Sequence, residues 1–112
     1  MKLKIFSLWA VDELCDIPLL KHQLRDICSL GFDGVVFHPR RYCGSPEYLS
    51  GDYMESLSEL ILYAKEIGAE FWLYDENGWP SGSADGRVLS SMPELKCRWL
   101  EYENGSVSVK EK

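Results

Sequence analysis

The sequence predicts an α/β chain in which parallel strands alternate with helices, β-α-β-α-β, followed by a C-terminal β-hairpin. Three observations predict it. Strand-like runs recur at Ile5–Trp9 (IFSLW), Val35–Phe37 (VVF) and Phe71–Tyr74 (FWLY), nearly continuous in apolar residues, as in strands covered on both faces. Helical stripes occupy both intervals between them. The runs repeat after about 30 and then about 36 residues, the unit size of a (β/α) barrel or a doubly wound sheet.

Each element has a local reason. After the first strand, Leu20, Leu24, Ile27 and Cys28 share one face of a helix. Asp16 is its expected N-cap, and Pro18 falls in the first turn, where its missing N–H costs nothing. Gly31 stops it, and Phe32-Asp33-Gly34 leads into the second strand. In the second helix Met54, Leu57, Ile61 and Ala64 form the expected stripe, widened by Leu60 and Ile67. Ser50 or Asp52 caps it and Gly68 ends it.

Beyond Gly86 the pattern changes. Arg87–Leu95 has room for a short turn of helix interrupted by Pro93. Lys96–Glu103 and Ser106–Lys110 then flank Asn104-Gly105, a type I′ hairpin signal. Trp99, Val107 and Val109 are expected on one apolar face of that hairpin. Residues 1–90 thus read as three β/α units of a TIM-like barrel, and residues 91–112 as a hairpin segment opening an insertion or the next unit.

Composition narrows the function. The chain has 112 residues, 46% of them hydrophobic, which suits one core. With 18 acidic against 12 basic side chains its formal charge is −6, which disfavours nucleic acid and anionic membranes as partners. No apolar run approaches the ~18–20 residues of a membrane span, and the opening segment turns acidic by Asp12, too soon for a signal peptide. Cys15, Cys28, Cys43 and Cys97 form no C-x-x-C pair and have no histidine at zinc spacing, so they read as reduced cytoplasmic thiols rather than a metal site. Cys28 is expected in the core and Cys43 on the surface. No phosphate loop, dinucleotide fingerprint or nucleophile elbow is present.

Helix-to-strand connections are short, whereas strand-to-helix connections are long and carry the unusual chemistry. In (β/α) folds function sits at those carboxyl ends. The third strand runs into YDENGWPSGSADG. There Asp75 and Glu76 stand beside Trp79, a pairing suited to sugars: carboxylates accept from hydroxyls, and the indole covers the C–H face of a pyranose. The alternative is that the two acids cap the Asn77-Gly78 turn while Trp79 packs on the sheet. Trp79-Pro80 is an X-Pro bond open to the cis form.

The second strand ends in HPRR. His38 is suited to orienting a hydroxyl, to acid–base work or to metal ligation, and equally to a structural role. Arg40 or Arg41 is suited to pairing with a substrate carboxylate or with Asp75. His22 is expected to face solvent. Trp9, with Asp12 and Glu13 beyond it, is either a second wall of the site or a half-buried tryptophan with a capping acid.

The blocks FDGVVFHPR, SPEYLSGDYMESLSELILYAKEIGAEFWLYDENGWPSG and GSADGRVL together resemble a known family. They are similar to the opening of the catalytic (β/α)8 barrel in large bacterial glycoside hydrolases related to the family 106 α-L-rhamnosidases. The likeness covers roughly residues 5 to 90, and the third-strand loop is its most specific part. It implies that His38, Arg40, Asp75, Glu76 and Trp79 stand at a barrel mouth and that some of them bind a sugar. Calcium is implied for some relatives, without a ligand set that transfers here.

The resemblance supplies no catalytic pair. Barrel glycosidases of this kind draw their carboxylates from later strands, and hydrolysis needs two of them ~5–5.5 Å or ~6.5–9.5 Å apart. Asp75 and Glu76 are sequence neighbours whose side chains diverge at a strand end. The expectation is therefore a piece of a glycoside hydrolase that adds part of a sugar subsite, is inactive alone, and needs the remainder of the barrel. Two alternatives stand beside it. One is a free-standing carbohydrate-binding or assembly module that forms homo-oligomers through open sheet edges. The other is a metal-dependent sugar isomerase or epimerase barrel using His38 and Glu76.

Overall fold

The computed structural model describes residues 3–79 and 81–111. Three parallel strands, β1 (Phe6–Ala10), β2 (Gly34–His38) and β3 (Glu70–Leu73), lie side by side in that order. The register sets Leu8 beside Val36 and Val36 beside Trp72, and likewise Trp9 beside Phe37 and Phe37 beside Leu73. Successive side chains therefore alternate between a helix-covered face and an open one. The alternating α/β order and the hairpin behind it are as expected from sequence.

Helix α1 (Ile17–Ser29) starts where Asp16 accepts the Leu19 N–H at 2.9 Å, and Pro18 lies in its first turn. Leu20 and Leu24 are buried, with Ile27 and Cys28 packed against the core. Helix α2 (Gly51–Glu66) is capped by Ser50, whose hydroxyl accepts the Tyr53 N–H at 3.1 Å. Gly31 and Gly68 follow the two helices at φ 98° and 73°, a backbone geometry that L side chains resist.

The α2 stripe differs from the expected one. Tyr53, Leu57, Leu60 and Ala64 are buried, whereas Met54 and Ile61 are 50% and 36% exposed. Both sets fit a helical period, so periodicity alone does not fix the phase. The aromatic residues fix it: the Tyr53 ring meets Tyr42 and Tyr48 edge-on, each at 5.2 Å between centroids. Those rings come from the β2–α2 connection and draw Tyr53 inward.

Trp9 also belongs to the core rather than to a site wall. Its ring packs edge-on against Phe37 and Phe71 at 6.0 and 6.4 Å, and its indole N–H donates to Gln23 of α1 at 3.1 Å. On the opposite face of the sheet Leu8 and Trp72 are exposed, and Phe6 lies 5.5 Å from Trp72 between ring centroids.

A short helix α3 (Arg87–Ser91) and a 3-10 turn at Pro93–Leu95 lead to an antiparallel hairpin, β4 (Arg98–Glu103) and β5 (Ser106–Glu111). Asn104 and Gly105 have φ of 50° and 82°, both positive as a type I′ turn requires. The two-residue loop sets Tyr102 against Val107 and Leu100 against Val109, so these four share a face. Trp99 pairs with Lys110 on the other face, which corrects the expected grouping. The cause is parity: the turn fixes the register, and the register fixes the face.

Among the described residues the hairpin makes no substantial packing with the sheet or its helices. The radius of gyration is accordingly 18.8 Å, against about 13 Å for a compact chain of about 100 residues. No helix among the described residues is long and apolar enough to cross a membrane. The four cysteines are unpaired, and Cys43 is exposed as expected.

Candidate functional site

The carboxyl ends of β2 and β3 carry the site. His38 is the last residue of β2, and the ladder continues one step past β3, where the Tyr74 N–H donates to the Phe37 carbonyl at 2.9 Å. His38 and Tyr74 thereby become neighbours, with ring centroids 4.2 Å apart. The Trp79 ring lies nearly parallel to that of Tyr74, at 6.3 Å and 21°. Its indole is 81% exposed. Leu8, His38, Arg40, Tyr74 and Trp79 together line a cavity of about 230 Å³.

Two polar atoms in this wall have no hydrogen-bond partner among the described residues: Nδ1 of His38 and the hydroxyl of Tyr74. His38 is only 5% exposed. Its Nε2 lies 3.0 Å from the Gly78 carbonyl. A carbonyl only accepts, so the neutral ring carries its proton on Nε2 and leaves a lone pair on Nδ1. Buried groups left in this state cost about 1–3 kcal/mol each.

Glu76 has a different task. It is 1% exposed, and both its oxygens are engaged. They accept the N–H groups of Ser83 and Ala84 (both 2.7 Å), Asp85 (2.7 Å) and Asn77 (3.0 Å), with the Ser83 hydroxyl at 3.1 Å. Burial alone pushes this carboxyl up. The four N–H donors, from Asp85, Ser83, Ala84 and Asn77, overcome it and hold the group down at about 2.

Ala84, Asp85 and Gly86 all have positive φ (49°, 56° and 78°), which turns successive N–H groups inward around the anion. The capping alternative therefore describes Glu76 well, although the turn it closes is longer than Asn77-Gly78. Asp75 is held outside by the Ser81 hydroxyl, which donates to its two oxygens at 2.7 and 2.8 Å.

Three links fix this loop against the β2–α2 connection. His38 meets the Gly78 carbonyl. Asn77 accepts the Tyr42 N–H at 2.7 Å and donates back to the Tyr42 carbonyl at 3.0 Å. Arg87 donates to the Tyr48 carbonyl at 2.7 Å. The Trp79-Pro80 bond lies outside the described residues, and the cis X-Pro bond within them is Ser45-Pro46.

Of the residues singled out from sequence, the fold brings His38, Arg40 and Trp79 to one cavity, whereas Asp75 lines a different one with Phe37, Tyr53 and Leu73, and Glu76 is buried within its own loop. Neither Arg40 nor Arg41 forms an ion pair among the described residues. Asp12 and Glu13 line a separate, smaller cavity on the β1–α1 connection. Sequence reasoning missed Tyr74 and Asn77. The register does locate Tyr74: it stands one step beyond the Phe37–Leu73 pair, beside His38.

No group of three or more His, Cys, Asp or Glu among the described residues is arranged to hold an ion. The oxygens of Glu76 are taken by N–H donors, whereas Asp75 accepts a single Ser81 hydroxyl.

No family model, no curated protein and no solved structure matches this chain.

Proposed function

We propose that this chain is part of a carbohydrate-processing (β/α) barrel and forms one wall of a sugar subsite. The observation that carries the reading is the exposed Trp79 indole, stacked on Tyr74 over a cavity that also holds His38 and Arg40. A flat apolar ring beside a few convergent polar groups is the composition of a small-molecule pocket, and its position at strand carboxyl ends is where such folds bind ligands. Trp79 supplies the stacking surface and Arg40 the polar contact, with His38 and Tyr74 forming the wall between them. Glu76 shapes the loop.

The chain's own residues do not make a hydrolytic pair. At neutral pH Glu76 is ionised, buried and committed to N–H donors, so it has neither a proton to give nor a free oxygen to attack. Acid and base come from elsewhere in the completed barrel, whose further strands would also cover Leu8 and Trp72 on the open face of the sheet. The resemblance to glycoside hydrolases related to the family 106 α-L-rhamnosidases accords with this assignment.

Saturation-transfer NMR on the 112-residue chain tests the reading with L-rhamnose, D-galactose and D-glucuronate as probes. Transfer from aromatic protons to at least one sugar is expected, with loss of that transfer in Trp79→Ala. Absence of transfer to all three, or unchanged transfer in the variant, overturns it.

A further inference from the structure

We infer that the sugar taken at this site is acidic, a uronate-type ring whose carboxylate meets Arg40. The inference rests on the sugar-subsite reading and specifies its substrate class. It starts from unused bonding capacity. Arg40 lines the cavity and has no carboxylate partner among the described residues, in a chain of net charge −6 where acids outnumber bases. In the loop that carries Trp79, Glu76 receives four N–H groups and Asp75 receives the Ser81 hydroxyl.

The remaining lining sets a second condition. The Trp79 indole is exposed and offers a flat apolar face in the cavity that Arg40 also lines. A ligand that uses both presents an anionic acceptor to Arg40 and an apolar face to Trp79. A neutral sugar brings Arg40 hydroxyl acceptors but no counter-charge. A simple carboxylate leaves Trp79 without a partner. A uronate meets both, through its carboxylate and its C–H face.

A cavity of about 230 Å³ is smaller than the ~300–1,000 Å³ of drug-sized pockets, which suits a single ring. Guanidinium–carboxylate pairing gives geometric selection as well as charge, so Arg40 acts here as the residue that sets specificity.

The test is calorimetric titration of the 112-residue chain with D-glucuronate, D-glucose and propionate, repeated on Arg40→Gln. Arg40 is exposed, so the variant keeps the fold. Glucuronate is expected to bind about tenfold tighter than glucose, and Arg40→Gln to erase that difference. Equal affinity for glucuronate and glucose overturns the acidic-sugar inference and leaves the sugar subsite standing. Propionate binding as tightly as glucuronate also overturns it, since Trp79 then contributes nothing. No binding by either sugar overturns the acidic-sugar inference, and the sugar subsite then stands or falls on the saturation-transfer result with L-rhamnose and D-galactose.

Discussion

The Glu76 carboxylate and the main-chain N–H of Asp85, nine residues apart in sequence, meet at 2.7 Å. That contact closes the loop after β3 upon its own first turn, with the N–H groups of Ser83 and Ala84 on the other oxygen. Residues at positive φ are costly, roughly 1–2 kcal/mol each for non-glycine positions such as Ala84 and Asp85. Charge-assisted hydrogen bonds offset that cost, being about twice as strong as neutral ones. The loop holds its shape because the anion is inside it.

Replacing Glu76 should therefore unfold more than a surface acid would. Glu76→Ala is expected to cost about 2–4 kcal/mol, because it leaves the N–H groups of Asn77, Ser83, Ala84 and Asp85 without an acceptor. Urea unfolding measures this. A loss below about 0.5 kcal/mol would mean that the loop stands without its carboxylate.

The same group gives acid sensitivity with a definite sign. Its folded value, about 2, lies below the ordinary 4.5. The stabilisation is therefore complete above about 4.5 and is lost as pH falls toward 2, where the folded form also takes the proton. Melting temperature followed across that interval should fall more steeply in the natural chain than in Glu76→Gln. Parallel curves would contradict the assignment.

Tyr74→Phe separates the hydroxyl from the packing of the ring. The ring contacts with His38 and Trp79 survive the substitution, and only the partnerless hydroxyl goes. Stability is expected to stay level or rise by about 1 kcal/mol. A clear fall in stability would show that the hydroxyl is bonded in solution.

Trp79→Ala should leave folding nearly untouched, within about 0.5 kcal/mol, since the indole is 81% exposed. Sugar binding should weaken by about tenfold on loss of the stacking surface. Thermal melts and titration on the same preparation read both quantities.

The sequence carried the succession of strands and helices, the helix caps and the hairpin turn, because each depends on neighbours in the chain. Asp16, Ser50 and Asn104-Gly105 act within three residues of themselves. Two facing errors had one origin. Met54 and Tyr53 both satisfy a helical stripe, and Trp99 and Leu100 both read as apolar strand residues. A long-range partner decides each pair: Tyr42 and Tyr48 for the helix, and Val109 for the hairpin.

The site was half visible. His38, Arg40 and Trp79 announce themselves by residue type at strand ends. Glu76 was visible as a carboxylate, but its use as an internal anchor depends on backbone turned inward seven to nine residues later. Tyr74 was hidden because it looks like the last residue of a strand, and only register sets it beside His38.

The hairpin and the parallel sheet place unequal demands on the chain during folding. Glu103 and Ser106 pair across a span of three residues, whereas Phe6 pairs with Gly34 and Gly34 with Glu70, spans of about 28 and 36. Closing the longer loops costs about 2 kcal/mol more in chain entropy, and nothing repays it until α1 and α2 dock on the strands between them. The tail is thus a local structure, able to close without help. The sheet that holds the cavity is a collective one: it exists only when both crossovers are in place, and the wall made by Leu8, His38 and Tyr74 exists only with it.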